Sequence, residues 1–314
     1  MEISEIIVIV LGLILFEVIS SVDNAVVNAD VLSTMSERAR RWFLLYGIII
    51  AVFLVRGLLP LLIVYFTNTG LGLYGALTAT FSSNPLVREA IESSKPILLG
   101  GGGLYLLFLF LHWLFIETKE YAFFLERHIH KNYYFWFYAI ASIVLLAFVW
   151  ATIKINPMIS LGAVIGSTAF FITNGFKSNA EEKERELTHN SGLSDMAKIL
   201  YLEMIDMTFS IDGVLGAFAF TLSVPLIIIG NGIGAFVVRY VTVKGVNTIK
   251  KYRYLKNGAM YSIASLGVIM MAESLSIHVR SFVPPLITFF VVGLFFWLSL
   301  REIKMHKKHQ DIVK

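Results

Sequence analysis

The chain alternates between long apolar segments and short polar connections, a pattern typical of helices that cross a membrane. About 20 predominantly apolar residues are needed to span the hydrocarbon core of a bilayer as a helix. Segments of about this length predict nine transmembrane helices, at residues 5–32, 42–66, 97–117, 133–153, 157–176, 197–222, 225–242, 258–276 and 284–301.

Composition supports the same fold class. Hydrophobic residues make up 57% of the 314 positions, charged residues make up 15%, and the mean hydropathy is +0.74. A soluble domain carries more charge and less apolar surface. We therefore predict an all-α, polytopic membrane helix bundle in which residues 1–314 form a single transmembrane domain. The chain has no cysteine, which excludes disulfides, thiolate metal ligands and thiol catalysis.

The basic residues predict how the helices are oriented. Most lysines and arginines lie in alternate connections, at 35–41, 118–132, 177–196 and 243–257, and in the tail from residue 301. Because cytoplasmic loops are rich in Lys and Arg, we place the N-terminus outside and the C-terminus in the cytoplasm, in a prokaryotic plasma membrane. The net charge of +4 then reflects topology, and no nucleic-acid partner is expected.

Two of the apolar segments are interrupted by acidic residues in the same pattern. The first segment carries Glu17, Ser21 and Asp23, and the sixth carries, at the same spacing, Asp206, Ser210 and Asp212. Glu203 precedes the second set by about one helical turn. A carboxylate at the centre of a bilayer costs roughly 2.5–3.5 kcal/mol, so acids that recur in this way indicate function rather than packing.

The spacing within each motif indicates an interrupted helix. Glu17, Ser21 and Asn24 share one helical face, whereas Asp23 lies about 120° away from Glu17. A straight helix therefore cannot aim both carboxylates at one point. Residues 21–24 and 210–213 are turn-forming sequences, and we predict local unwinding at both. Broken helices at membrane depth are tolerated where they line a cavity, and they commonly form ion sites.

Further matches extend the similarity between the two halves of the chain. Arg56 follows the first motif as Arg239 follows the second, and Lys95 and Lys256 precede the third helix of each set. Since five spans separate the copies, they cross the membrane in opposite directions, which predicts an inverted repeat with both motifs at the bilayer midplane. The predicted organisation is a first repeat at 1–117, spans four and five with a cytoplasmic loop at 118–196, a second repeat at 197–276, and a ninth span with a basic cytoplasmic tail at 277–314.

The remaining polar segments and glycines have weaker patterns. Segment 177–196 is almost entirely polar and is predicted to be a solvated, mobile loop. In the long external connection 68–96, a short helix or re-entrant piece is expected to start at Pro85 and to end at Pro96. Four glycines at 100–103 predict close approach of span three to a neighbouring helix. His128 and His130 are candidates for metal binding or pH sensing, but two histidines on an aqueous loop usually do neither.

Together these motifs resemble the TerC family of integral membrane proteins, over roughly residues 10–275. The residues that carry the resemblance are Glu17, Ser21, Asp23, Asn24, Arg56, Lys95, Gly100, Gly101, Glu203, Asp206, Ser210, Asp212, Gly213, Asn231 and Arg239. The resemblance is closest to a branch catalogued as a domain of unknown function. It implies an exporter of Mn²⁺ or another divalent cation, related to the LysE-type exporter superfamily and historically linked to tellurite resistance.

The resemblance also implies roles for individual residues. Its acids correspond here to Glu17, Asp23, Asp206 and Asp212, with Asn24 and Glu203 alongside, while Arg56, Arg239 and Asn231 lie along the ion pathway or balance its charge. The second motif departs from the family pattern. Residues 210–213 read Ser-Ile-Asp-Gly where better-known members carry Ala-x-Asp-Ser followed by Pro, which leaves the identity of the cation open.

The chemistry of these side chains agrees with a hard or borderline cation. The candidate metal ligands all offer oxygen: Glu17, Ser21, Asp23, Asn24, Glu203, Asp206, Ser210 and Asp212. Such ligands suit Mn²⁺, Mg²⁺ or Ca²⁺ and are poor for Cu⁺ or Zn²⁺. No permanent cofactor is expected, because the cation, Mn²⁺ first among the candidates, is the transported substrate.

Charge suggests a mechanism. Five unpaired carboxylates in a cavity of low dielectric would not all ionise, which predicts metal–proton antiport with a cation affinity that rises between about pH 5 and 8. Arg56 and Arg239 would reduce this charge by pairing with an acid, or would extend to the membrane interface. Arg239, next to Tyr240, is the better candidate for extension.

Two alternatives belong to other classes. An intramembrane aspartyl hydrolase would use paired aspartates, but its Gly-x-Gly-Asp signature is missing, and no metalloprotease, serine hydrolase or P-loop motif is present, so we do not expect an enzyme. A membrane assembly or insertion factor, or a tellurite-resistance-associated protein without transport activity, would tolerate Asp→Asn changes. Besides the cation and the bilayer, the expected partner is a second copy of the chain in a homo-oligomer.

Overall fold

The protein is helical in a computed structural model, and the part of the chain that this structure describes contains no strand. The described backbone comprises residues 2–21, 29, 31–47, 49, 56–58, 62, 65, 85–117, 123–129, 134–189, 194–249 and 251–313. Side chains are described at these positions apart from 85–93, 128, 134, 180–189, 209, 243–249 and 306–313.

The helices follow the apolar segments of the sequence. In chain order they are α1 (Ile3–Ser20), α2 (Glu37–Trp42), α3 (Pro85–Phe115), α4 (Tyr134–Thr152), α5 (Pro157–His189), α6 (Asp195–Ala217), α7 (Val224–Ile249), α8 (Leu255–Ser274) and α9 (Val283–Val313). A π-helical turn at Phe43–Gly47 continues α2, and a short 3₁₀ helix at Leu125–His128 precedes α4.

Six of the described helices, α1, α3, α4, α5, α7 and α9, are long and apolar enough to cross a membrane. α6 and α8, with 23 and 20 residues, are also long enough, but they carry more polar side chains. Most of predicted span two, at 42–66, lies outside the described residues. The protein is therefore an all-helical membrane protein with six such helices in its described part, and the count of nine stays a prediction.

Polar caps explain where several helices begin. The Ser194 hydroxyl accepts a hydrogen bond from the backbone N–H of Ala197 at the start of α6. Before α5, the Asn156 side chain accepts from the N–H of Met158 at 2.9 Å, and Pro157 occupies the first helical position, where no N–H is needed. The cap at Asn156 and Pro157 allows α5 to follow α4 through a short turn.

Helix α3 lies at the centre of the bundle. Of its candidate span, 83% is buried inside the protein, compared with 22% for α4. Glycines let two neighbours approach its backbone: a Cβ on Gly101 would lie 2.6 Å from the carbonyl oxygen of Gly162 on α5, and a Cβ on Gly103 would lie 2.8 Å from that of Gly267 on α8. The predicted close approach of the glycine segment is therefore confirmed.

Helix α4 shows the opposite environment. Its largest apolar side chains point away from the protein, with Phe135, Leu146 and Trp150 each more than two-thirds exposed. A soluble protein does not leave such a surface in water, whereas lipid covers it at no cost. Trp136 and Trp150, near the two ends of α4, also match the aromatic belts found at membrane interfaces.

Two predicted boundaries are wrong. Segment 177–196 is not a loop along most of its length, since α5 continues to His189. The Ala-Glu-Glu-Lys-Glu-Arg-Glu-Leu sequence at 180–187 consists of strong helix formers, so the helix persists beyond its apolar part. Pro85 does start a helix, but Pro96 does not end it, because α3 runs through to Phe115 and its tightly packed neighbours hold it there.

The packing of α3 against α5 predicts opposite effects for one substitution at two glycines of α5. In Gly166→Ala, the new methyl group would overlap the backbone carbonyl of Gly101, and we expect a loss of about 1–3 kcal/mol in unfolding free energy. In Gly175→Ala nothing lies within 4 Å of the new methyl group, and a gain of about 0.5–1 kcal/mol is expected. Thermal unfolding of both purified variants in detergent measures the difference; equal shifts would contradict the packing described.

Candidate functional site

The first acidic motif begins in the last turns of α1. Glu17 is fully buried, and its Oε1 accepts hydrogen bonds from Arg56 and, at 2.8 Å, from the Ser21 hydroxyl. Arg56 is also buried, so the two charges form an ion pair away from water. α1 ends at Ser20, inside the motif, where the sequence predicts a break. Asp23 and Asn24 lie outside the described residues.

Glu17 also contacts the second motif. A Cβ on Gly213 of α6 would lie 2.8 Å from Glu17 Oε2, and a Cβ on Gly234 of α7 would lie 2.5 Å from the Cβ of Glu17. Both helices therefore approach Glu17 closely because these two residues are glycines. Glu17 Oε2 has no hydrogen-bond partner among the residues that the structure describes. The two acidic motifs thus meet at this carboxylate.

Arg239 on α7 binds two acids of α6. Its Nη2 lies 2.5 Å from Asp206 Oδ2 and 3.5 Å from Glu203 Oε1. Its Nη1 donates a hydrogen bond of 2.7 Å to the carbonyl oxygen of Phe43, and the guanidinium stacks over the Phe43 ring, 4.3 Å from the centroid. Gly47 leaves room for this cluster, because a Cβ there would overlap the Glu203 carboxylate. Two buried carboxylates therefore share one guanidinium.

Asp212 is bound from two other helices. Lys177 of α5 forms an ion pair with Oδ2, and the Tyr105 hydroxyl of α3 donates to Oδ1. Tyr105 Oη in turn lies 2.9 Å from Thr173 Oγ1, one turn before Lys177 on the same face of α5. All four side chains are buried or nearly so. Both carboxylate oxygens of Asp212 therefore have donors from the protein.

Two further candidates are buried with incomplete hydrogen bonding. Asn231 on α7 donates to the carbonyl oxygen of Gly213 at 3.4 Å, but its Oδ1 has no partner in the described part of the chain. The Ser210 hydroxyl and Glu203 Oε2 likewise lack a described hydrogen-bond partner, and Glu203 Oε1 has the 3.5 Å ion-pair contact with Arg239. Buried polar atoms are usually hydrogen-bonded, so these acceptors on α6 and α7 indicate places for water or a bound cation.

Three separate ion pairs thus occupy the region where the sequence predicts one cluster of carboxylates. In the described residues, no three acidic or histidine side chains come together in a way that would hold a metal ion. Of the eight predicted ligands, six are described: Glu17 on α1, Ser21 directly after it, and Glu203, Asp206, Ser210 and Asp212 on α6. The side chains of His128 and His130 are outside the described set.

Three expectations about these groups are wrong. The acids are not five unpaired carboxylates, because Glu17, Asp206 and Asp212 each have a basic partner. Arg239 does not extend to the interface: it is 5% exposed and bound to α6. Nor does α6 unwind at 210–213, since it is helical from Asp195 to Ala217. The ion pairs neutralise the acids without a break in this helix.

Sequence reasoning missed Lys177, Tyr105 and Thr173. The loop predicted at 177–196 includes Lys177 because a run of charged residues follows it. Its spacing of four from Thr173, on a helix that is otherwise apolar up to that point, was the available signal. For Tyr105, two residues after the glycine segment, the signal was its hydroxyl. A tyrosine hydroxyl in the middle of an apolar span needs a hydrogen-bond partner.

The sequence model of one protein family matches residues 22–306, which is most of the chain. The chain belongs to the DUF475 family. This family is described as a protein of unknown function. No curated protein and no solved structure matches the chain.

The DUF475 match includes all three basic partners, Arg56, Lys177 and Arg239, and the whole second acidic motif. It begins directly after Glu17 and Ser21, within the first motif. Since the family description names no activity, the function of this DUF475 protein has to be argued from the chemistry of the site.

Proposed function

We propose that this DUF475 protein is a membrane transporter that exports a divalent cation, with Mn²⁺ as the first candidate. The observation that carries the proposal is the set of buried ion pairs Glu17–Arg56, Asp206–Arg239 and Asp212–Lys177 inside a membrane helix bundle. Charges in such a place are expensive, and replacing them by apolar residues would commonly stabilise a fold. Their presence therefore favours a function that needs charge within the membrane.

The free acceptors support a cation as the ligand. Glu17 Oε2, Asn231 Oδ1, Ser210 Oγ and Glu203 Oε2 are buried acceptors without described donors, and Glu203 Oε1 lies 3.5 Å from Arg239 Nη2. Each is an oxygen, and hard or borderline divalent cations such as Mn²⁺ prefer oxygen ligands. In the proposal, Asp23 and Asn24 complete the ligand set with Asp206 and Asp212.

The pairing of acids and arginines supports an inverted repeat as the framework of the transporter. Glu17 pairs with Arg56, and Asp206, its equivalent in the second motif, pairs with Arg239, the equivalent arginine. The third helices of the two proposed repeats, α3 and α8, contact each other reciprocally at Gly103 and Gly267. In the proposed architecture nine spans carry this repeat, and the site lies near the membrane midplane.

Transport by exchange against protons is part of the proposal. Because three acids already have basic partners, fewer protons are needed to neutralise the empty site than five unpaired carboxylates would require. In this scheme the basic side chains neutralise most of the negative charge of the empty site, and bound protons neutralise the remainder.

Flux through purified protein in proteoliposomes tests the proposal. We expect Mn²⁺ movement above that of protein-free liposomes, tested in parallel with Mg²⁺, Ca²⁺ and Zn²⁺, and Zn²⁺ is expected to be the poorest substrate. An imposed pH gradient at constant membrane potential should accelerate the flux. No flux of any cation from folded protein would exclude transport of this kind, whereas flux that ignores the pH gradient would exclude only the antiport.

A further inference from the structure

Among the three basic partners of the acids, Lys177 differs in the chemistry of its charged group. Arg239 is bound at several points, by Asp206, by Glu203 and by both the carbonyl and the ring of Phe43. A planar guanidinium with several fixed donors behaves as a structural part of the site. Lys177 instead carries a compact ammonium on a flexible chain of four carbons, which changes rotamer readily.

Lys177 lies close enough to the end of its span for its ammonium to reach the membrane interface in another rotamer. It lies two residues before the end of the candidate span Pro157–Asn179, on the part of α5 that continues as a polar helix. Helical side chains tilt toward the N-terminus, so in the structure Lys177 reaches back into the span to Asp212. A rotamer that extends toward the C-terminal end of α5 would bring the ammonium to the polar interface, as lysines near span ends commonly do.

Asp212 cannot bind a divalent cation while Lys177 stays in place. Its Oδ2 carries the ammonium and its Oδ1 accepts from Tyr105. Adding a cation of charge +2 to this neutral pair would bring two positive groups together on one carboxylate in a medium of low dielectric. The Tyr105 contact, fixed by Thr173, involves no such conflict.

We infer that Lys177 is a built-in cation that occupies Asp212 in the empty state and is displaced by the transported divalent cation. This inference rests on the proposed function and adds to it a residue that sets the affinity of the site. Only the fraction of molecules in which Lys177 has left Asp212 is competent to bind, so the apparent affinity is lowered by that fraction. After release of the cation, the return of Lys177 neutralises Asp212 again without a proton.

Amine labelling of the unaltered protein tests this displacement. Purified full-length protein in detergent is treated with sulfo-N-hydroxysuccinimide acetate at increasing Mn²⁺, and acetylation is quantified by mass spectrometry. Labelling of Lys177 should rise and saturate at the same Mn²⁺ concentrations as binding measured by calorimetry. Lys198 is a matched control, because it is also buried but donates to Thr34 rather than to an acid, and its labelling should not change.

Substitutions test the same inference through affinity. Lys177→Gln removes the competing charge and should tighten Mn²⁺ binding about tenfold, whereas Lys198→Gln should leave it unchanged. Lys177→Arg keeps the charge and holds Asp212 with more donors, so binding should weaken severalfold. If Lys177→Gln does not fold, the arginine variant decides, since an unchanged affinity would overturn the inference.

The outcomes separate the two proposals. Mn²⁺ binding with constant labelling of Lys177 overturns the displacement and leaves the transporter proposal in place. No binding of Mn²⁺, Mg²⁺ or Ca²⁺ by the unaltered protein overturns the transporter proposal and the displacement together.

Discussion

Asp212→Asn is expected to abolish cation binding, with a loss in Mn²⁺ affinity of at least about 100-fold. Removing a residue that only hydrogen-bonds to a metal ligand already costs up to about 100-fold, and a direct ligand should cost more. The amide keeps the shape of the side chain but removes the charge that attracts the cation. It also leaves the Lys177 ammonium buried without its carboxylate, so the variant should unfold at a lower temperature as well. Calorimetry with Mn²⁺ and thermal unfolding in detergent measure the two effects.

A double variant separates loss of binding from loss of stability. Asp212→Asn combined with Lys177→Met removes both charges of the buried pair, and we expect it to recover most of the stability while it still fails to bind Mn²⁺. Asp195→Asn is the matched control, since it makes the same change on the same helix where the acid accepts from Ser36, and binding should stay intact. Wild-type Mn²⁺ affinity in the double variant would remove Asp212 from the site.

The same experiment discriminates the transporter from a membrane assembly or insertion factor. An assembly factor would need the bundle and its surfaces but not the charge of Asp212. Such a protein would therefore retain its cellular function in the stable double variant, while a transporter would lose it.

Arg239→Met is expected to lower the free energy of unfolding by about 3–5 kcal/mol, the usual cost of removing one partner of a buried ion pair. The methionine fills similar volume, but the buried Glu203 and Asp206 would lose the guanidinium that they share. The hydrogen bond to the Phe43 carbonyl would also be lost. Thermal unfolding in detergent, at fixed pH and protein concentration, measures the effect.

Two further variants make this prediction specific. Adding Glu203→Gln and Asp206→Asn to Arg239→Met should restore a large part of the stability, because the uncompensated charges are gone. Arg41→Met removes an arginine from an exposed pair with Glu37, in which the two side chains are 74% and 77% exposed, and should cost no more than about 0.5 kcal/mol. Similar losses for Arg239→Met and Arg41→Met would show that Arg239 is not held as described.

The sequence pattern predicts the helices well where the chain is apolar and less well where it is polar. Predicted spans four and seven, at 133–153 and 225–242, correspond closely in their apolar parts to α4 and α7. α5 and α9 continue well beyond the apolar segments that predict them, to His189 and Val313. A transmembrane prediction measures hydrocarbon thickness, whereas a helix ends only where backbone hydrogen bonding ends.

The site was predicted less completely than the helices. Repetition of the acidic motif predicts Glu17, Asp206 and Asp212 as site residues, and the structure shows that all three are buried. Their basic partners are 39, 33 and 35 residues away in the chain, and no local pattern states which of them meet. The sequence favours extension of Arg239 to the interface because a position near the end of a span is visible in the sequence, whereas an ion pair is not.

The sequence by itself determined that the protein is a helical membrane protein with recurring acids in its apolar segments, because hydropathy and motif spacing are properties of short stretches of chain. Only the tertiary structure decided which charges neutralise each other. That depends on how closely helices approach, and here glycines set the distance: Gly213 and Gly234 admit Glu17 between α6 and α7, and Gly47 admits the Glu203–Arg239 group. A glycine in the sequence does not show which residue packs against it, so these contacts could be identified only from the tertiary structure.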